Sequence, residues 1–430
     1  MKTFAIATLG CKVNTFESES YIASLKQKGY QEVDFKEVAD IYIINTCSVT
    51  NTAASKSRQK IHQAQRMNPD AMICVVGCYV QTDADSLESM PAIDVLIGAK
   101  NKSKLVDIID SSNQFKEQIE ESRDLDFEFL PLSSTDKKRA FLKIQDGCDQ
   151  FCSYCIIPFA RGNERSASLD SLVTMAQDLV ASNHHEIVLS GIHIGRYGKG
   201  EGMDLVDLMK QLIKQVSGLK RLRLSSIEIT EITDELLDLM ASSDIIARHL
   251  HIPIQSGCNT VLQRMNRPYT VEQYTQRVEE IRRRFPKISI STDVIVGFPG
   301  ESDEEFEETV RTMRRLQFSF LHVFPYSLRK DTVAASMDHH IDPSIKKQRV
   351  AQLSELSKTL KSMYEMQFIN QEIWVLFDSY QSGKATGFSS EYIAVSVLMD
   401  KRPLSQWHKV RITYRANHRC FGDLVEEEEK

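Results

Sequence analysis

At 430 residues, with 42% hydrophobic and 26% charged residues, the chain is long enough for two or three domains with real cores. A formal charge of −6 excludes a surface coated in basic residues, though not a local basic patch. No run of about 18 apolar residues occurs, so no membrane span is expected; MKTFAIATLGCKVN reads as a first strand without a cleavage site, and the expected location is the cytoplasm.

The first hundred residues alternate apolar, β-branched runs with helical patterns. FAIATL (4–9), DIYIINT (40–46), AMICVVG (71–77) and IDVLIG (93–98) have strand length, and ESESYIASLKQKG and SKSRQKIHQAQRMN lie between them. This alternation predicts a parallel α/β sheet domain over 1–110, covered on both faces. Residues 111–136 are polar and acidic with little periodicity, which predicts a linker. From 137 to 368 the strands RAFLKIQ, EIVLSG, RLRLSS, HLHIPI, ISISTDVIVG and FLHVFPY alternate with helices, ending in one amphipathic helix near 343–370. Six such units predict a partial TIM-like (β/α)6 barrel. Over 369–430 the runs IWVLFDSY, KATGFSS, YIAVSVLM and HKVRITYR are strands without helices, which predicts a small β-barrel before the acidic tail EEEEK. Within 371–421, seven Lys/Arg face four acidic residues, so that end is locally basic.

Nine cysteines without an export signal favour metal or redox use over a disulfide framework. Three of them, Cys148, Cys152 and Cys155, have the spacing C-x3-C-x2-C on the polar loop GCDQFCSYC, just after the barrel's first strand. Barrel chemistry occurs at that C-terminal mouth. No fourth cysteine or histidine follows at zinc-site spacing. Three thiolates can hold three irons of a four-iron cubane and leave the last open to a ligand; a zinc site completed by a distant residue is the competing reading.

This motif, with an aromatic residue before the last cysteine, resembles the signature of radical S-adenosylmethionine (SAM) enzymes over roughly 139–340. The resemblance implies that the open iron chelates SAM, which is cleaved to a 5′-deoxyadenosyl radical. It also suggests cofactor contacts from Tyr154, Glu228, Gln255, Ser256 and the glycine-containing strand end at Gly297 (DVIVGFPGE, 293–301). Each of these is otherwise a capped or solvated loop residue. Cys258 reads as unligated.

A second trio is scattered. Cys11, Cys47 and Cys78 each lie just past a strand of the first domain, on the edge where open parallel sheets bind ligands. Cys74, inside its strand, reads as a small buried hydrophobe. Gly10-Cys11-Lys12-Val13-Asn14, Asn45-Thr46-Cys47 and Gly77-Cys78 resemble the motifs of the methylthiotransferase family of radical SAM enzymes, almost end to end. The resemblance implies two [4Fe–4S] clusters, the second held by Cys11, Cys47 and Cys78 and carrying the sulfur. One SAM would methylate that sulfur and a second would supply the radical. The C-terminal barrel is similar to the family's TRAM domain.

Leu9–Asn14, Ile157–Gly162 with Arg165-Ser166, and Leu189–Gly198 resemble the branch acting on C2 of N6-threonylcarbamoyladenosine at position 37 of tRNA. That implies the anticodon stem-loop as partner, and an electron donor such as flavodoxin or ferredoxin. Arg161, Arg165 and Arg196, on loops at the barrel mouth, are candidate phosphate contacts, with solvation or internal ion pairing as the alternative. Arg282–Arg284 read as a solvated helix face, His184-His185 as a turn, and His193 as a residue that could line the cavity. The open alternatives are the same chemistry on isopentenyladenosine-37 or on a ribosomal-protein aspartate, and, more distantly, a zinc-bound RNA-binding protein without activity.

Overall fold

The computed structural model describes residues 1–112, 114–117, 119, 124–401 and 406–425; the EEEEK tail lies outside them. Six parallel strands form the first domain: β1 (Thr3–Thr8), β2 (Gln31–Glu32), β3 (Ile41–Thr46), β4 (Met72–Gly77), β5 (Val95–Ile97) and β6 (Phe115–Lys116). Their spatial order is β2-β1-β3-β4-β5-β6. The central strands β3 and β4 read as continuous apolar runs because both of their faces are covered. The helices Lys12–Gln27 and Leu105–Ser111 cover one face through Phe16, Leu25 and Ile109. Helix Asn51–Met67 covers the other through Ala54, Ile61 and Ala64.

The expected linker is only partly a linker. Phe115 and Lys116 add a sixth strand to β5, and Leu125, Leu130 and Leu132 are buried. Glu117 accepts hydrogen bonds from Gly98 N and Asn101 Nδ2, both at 2.6 Å. Isolated apolar residues dispersed among acids carry no period, so the segment looks solvated although its few hydrophobes are docked.

The barrel strands are β7 (Arg139–Lys143), β10 (Glu186–Ser190), β11 (Arg221–Leu224), β12 (His249–His251), β13 (Ser289–Val296) and β14 (Phe320–Pro325); a short antiparallel pair, β8 (Gln145–Asp146) and β9 (Arg165–Ser166), follows β7. The parallel sets β7-β10-β11 and β12-β13-β14 are joined by single bridges, Leu222 with Ile246 and Ser226 with His251. All six expected strands form. Among the described residues β7 and β14 do not pair, so the barrel is open on one side. Helix Lys12–Gln27 packs against the β7 edge, and helix Pro343–Met366 covers β14, where Ser357 Oγ both accepts from Leu321 N (2.9 Å) and donates to Leu321 O (3.1 Å). The first domain's helix-side core runs without a break into the barrel core.

A closed five-stranded barrel ends the described chain: β15 (Glu372–Gln381), β16 (Lys384–Ser389), β17 (Ala394–Leu398), β18 (Trp407–Ala416) and β19 (Arg419–Leu424). It docks on the N-terminal ends of the larger barrel's strands. There Arg221 and Arg223 share the buried Glu186 (2.9 and 2.8 Å) and donate to the carbonyls of Trp374, Phe388, Ser389 and Ser390. Among the described residues no helix is long and apolar enough to cross a membrane.

Candidate active site: two three-thiol centres on one cavity

Parallel strand order brings the scattered trio together. Cys11 follows β1, Cys47 follows β3 directly, and Cys78 opens the short helix after β4. Both Gly10 and Gly77 have φ of +102°, the region open to glycine. A Cβ on Gly10 would stand 2.7 Å from Cys47 Cβ, so the missing side chain is what lets the first two thiols converge. Asn14 ties the edge together by donating to Leu9 O (2.7 Å) and Thr46 O (2.8 Å). Burial, with Cys78 adding to it, pushes the Cys47 thiol up to about 12. Such a thiol surrenders its proton to a bound metal, not to neutral water.

The barrel trio lies on the loop after β8. The Cys155 thiol is likewise pushed up to about 12, by burial and then by Cys152. Arg267 donates to Cys152 Sγ at 3.2 Å and is itself ion-paired with Glu228. His193 Nδ1 lies 3.6 Å from Cys148 Sγ and 3.1 Å from Glu164 Oε1, with Glu231 Oε1 2.7 Å from its other nitrogen. Burial alone would lower the His193 pKa, but these three partners raise it to about 12. With no metal bound, an imidazolium held by two carboxylates donates to Cys148; the ligand atoms of Cys148, Glu164 and His193 lie within 4.8 Å of one another.

Both centres open on one cavity of about 470 Å³. Cys11 and Cys47 line one side and Tyr154, Cys155 and Gln255 the other, with Ile156, Ile157, Ile295, Phe324 and Tyr326 as apolar wall. Of the expected cofactor contacts, Tyr154 and Gln255 face it, the latter with a left-handed φ of +66°. Glu228 acts on Cys152 through Arg267. Ser256 turns away to Thr309 Oγ1 (3.2 Å) and anchors the helix Asp303–Leu316 instead of lining the cavity, because Gly257 lets that helix pack closely. Gly297 ends β13 with φ of +68°, and the stem of Lys346 occupies the place of its missing side chain. Cys74 and Cys258 are buried apart from both trios, as expected.

The arginines need correction. Arg161 is 1% exposed and cannot meet a phosphate from solvent. It donates to Cys78 Sγ (3.2 Å), Asn14 Oδ1 (2.7 Å), Glu17 Oε1 (3.1 Å) and Asp146 Oδ1 (3.0 Å), joining the barrel loop to the first domain. Arg165 is also turned inward, with Asp146 at 3.4 Å and bonds to the carbonyls of Arg161 and Asn163. Only Arg196 is accessible, loosely paired with Glu164 at 3.5 Å. Sequence reasoning missed the partners Glu17, Lys102, Lys143 and Asp146, since each is an ordinary charged residue in its own helix or strand. Burial raises the Glu17 pKa, but Lys102, Arg161 and Lys143 together hold it at about 2. Three cations face two carboxylates in this buried set, and the surplus positive charge lies against Cys78. An anionic thiolate-bound cluster at Cys11, Cys47 and Cys78 fits that surplus and an all-sulfur donor set.

A partial parallel barrel with C-x3-C-x2-C at its mouth, joined to a sheet with three thiols on its edge, defines a radical SAM enzyme with a second cluster. The profile of the Radical SAM superfamily matches residues 142–313, and that of "Uncharacterized protein family UPF0004" matches 3–98. The threonylcarbamoyladenosine tRNA methylthiotransferase MtaB of Bacillus subtilis is 41% identical, covering 100% of this chain and 98% of the relative. The Thermotoga maritima protein of the same description is 35% identical over 99% and 98%. A tRNA-2-methylthio-N(6)-dimethylallyladenosine synthase of Carboxydothermus hydrogenoformans is 36% identical over 83% of each chain. Among solved structures, the radical SAM methyltransferase TsrM of Kitasatospora setae, with cobalamin and a [4Fe–4S] cluster bound, shares the fold at a TM-score of 0.57, with 14% identity over 77% and 76% of the two chains. The chain belongs to the radical SAM methylthiotransferase family, as an MtaB-like tRNA methylthiotransferase with [4Fe–4S] clusters and SAM as cofactors.

Proposed function

We propose that the chain installs a methylthio group on C2 of N6-threonylcarbamoyladenosine at position 37 of tRNA, in the cytoplasm. The observation that carries this reading is the shared cavity, which has thiols of both centres on its walls. Full-length relatives described as acting on that nucleoside support the choice of substrate.

Cys148, Cys152 and Cys155 would hold the cluster that binds SAM, and Cys11, Cys47 and Cys78 the cluster that carries sulfur. When bound, these groups supply an electron, a deoxyadenosyl radical and the sulfur to be transferred. The protein's own part is placement and exclusion of water. Arg267 and His193 donate to thiolates of the first trio and Arg161 to the second, which stabilises their anionic forms. Ile156, Ile157, Ile295 and Phe324 keep the space between the trios apolar, so a radical formed there meets substrate before solvent. Position 37 is already in a single-stranded loop, and its base needs only local unstacking to enter. The anticodon stem-loop is the proposed partner, with flavodoxin or ferredoxin as electron donor.

The test is nucleoside analysis of tRNA from a strain lacking the gene. The 2-methylthio-threonylcarbamoyl nucleoside should vanish and return with the wild-type gene, but not with Cys47→Ala. Loss instead of the 2-methylthio-dimethylallyl nucleoside would transfer the assignment to that substrate.

A further inference from the structure

Below the reaction cavity the open barrel encloses a second chamber of about 280 Å³, room for roughly nine waters or a group of similar bulk at about 30 Å³ each. Inward residues of successive strands form its walls, among them Arg139, Arg223, His251 and His322. The small C-terminal barrel closes the floor with Phe388 and Tyr392. Tyr392 adopts a left-handed φ of +62°, a strained conformation for a tyrosine, and stacks on His249 at 4.8 Å. Asp293 links the two spaces: it lines the reaction cavity and pairs at 3.2 Å with His251, which lines the chamber.

Into this chamber the first domain sends one side chain, Lys12, the residue after Cys11. Lys12 is exposed, and among the described residues no hydrogen bond or ion pair holds its ammonium. The charged groups near it are Asp293 on one side and the guanidiniums of Arg223 and Arg139 on the other. Arg139 lies over the rings of Phe388 (4.8 Å) and Tyr392 (5.6 Å), with Glu186 and Asp378 among the carboxylates that act on it. Two carboxylates reach the far wall: Glu365 is committed to Arg415 (2.6 Å), and Glu391 keeps one carboxylate oxygen buried without a partner. Lys12 and Arg139 leave their side of the chamber with positive charge that an anionic group entering it would meet.

We propose that this chamber is the receptor for a carboxylate-bearing substituent on the exocyclic amine of the substrate adenine, and that Lys12 is the residue that reads the carboxylate. The inference rests on the proposed nucleoside substrate and adds where its substituent goes. With the base in the reaction cavity, C2 faces the space between the thiol trios while the substituent descends past Asp293. Lys12 supplies the ion pair, Arg139 the surrounding positive field, and Tyr392 the floor. A neutral, apolar substituent would gain nothing from Lys12, so the same pocket favours the carboxylate.

The experiment measures binding of reconstituted holoenzyme to fluorescent anticodon stem-loop RNAs, with product analysis in parallel. The RNAs carry threonylcarbamoyladenosine, its neutral threoninamide analogue, or dimethylallyladenosine. Wild type should prefer the carboxylate RNA over the amide by about 10-fold or more, the size of a hydrogen bond to a charged group. Lys12→Gln should bind both within about 2-fold, and Lys12→Arg should keep most of the preference. Iron content near wild type in Lys12→Gln shows that Cys11 is undisturbed; if iron is lost, the amide RNA against wild type and the Lys12→Arg variant still decide. A wild type that converts the threonylcarbamoyl RNA yet binds the amide equally overturns the chamber assignment alone, and this is also the result if the chamber merely takes a small free anion. Discrimination that survives in Lys12→Gln overturns the role of Lys12. Conversion of the dimethylallyl RNA only overturns the substrate reading, and the inference with it.

Discussion

Replacing Arg161 with methionine removes one guanidinium from a buried set and should destabilise the protein and empty one centre. The magnitude follows from Glu17. Its carboxyl falls from 4.5 to about 2 on folding, and at 1.36 kcal/mol per pKa unit that is about 3 kcal/mol of stabilisation, shared among Lys102, Arg161 and Lys143. A share of about 1 kcal/mol through Glu17, a comparable or larger one through Asp146, and the bond to Asn14 sum to about 3 kcal/mol, at the low end for breaking a buried pair because two lysines remain. Denaturant unfolding of the iron-free variant should show that loss. Reconstitution should fill the barrel centre but leave the Cys11/Cys47/Cys78 centre empty or labile, halving the iron. The pH dependence has a definite sign. Glu17 and Asp146 are lowered on folding, so their contribution is complete above about 4.5 and is lost as pH falls toward 2. Without Arg161 the folded pKa values rise, so a smaller contribution is lost, over a window that ends at higher pH. A variant with wild-type stability and full iron would refute the reasoning, because the guanidinium would then be a bystander.

Other expectations are narrower. Gly10→Ala forces a side chain against Cys47 at a left-handed position, costing about 1–3 kcal/mol, and should lower iron at the second centre without removing any thiol. Arg267→Met withdraws a cationic donor from Cys152 and should shift the reduction potential of the barrel cluster downward in a potentiometric titration; an unchanged potential would show that the bond is absent in the loaded enzyme. Glu186→Gln leaves Arg221 and Arg223 without their shared carboxylate. It should expose the chain between the two barrels to limited proteolysis while both iron centres fill normally.

The fold was legible wherever an apolar run faced a covered sheet. β3, β4 and all six barrel strands appear where their residues predict, β3 and β4 as nearly continuous apolar runs and β11 to β13 as apolar residues alternating with polar ones. β2 and β6, two residues each, carry no pattern and exist only because a neighbouring strand offers an edge. Both cysteine trios could be read because thiols at successive strand ends have few other reasons to recur. Arg161 could not. On paper it is a basic residue at a barrel mouth, and only the packing of helix Lys12–Gln27 on β7 brings Glu17 and Asn14 within its reach. The same docking puts Lys12 inside the barrel, where sequence alone shows one more lysine in a polar helix turn.

The joint between the two barrels has a consequence for the attached module. Arg221 and Arg223 grip the small barrel by the main-chain carbonyls of residues 374, 388, 389 and 390, and these oxygens are present whatever side chain stands there. Attachment is therefore largely indifferent to substitution on the attached module. A change of side chain on its outer strands leaves the orientation of that surface toward the larger barrel in place.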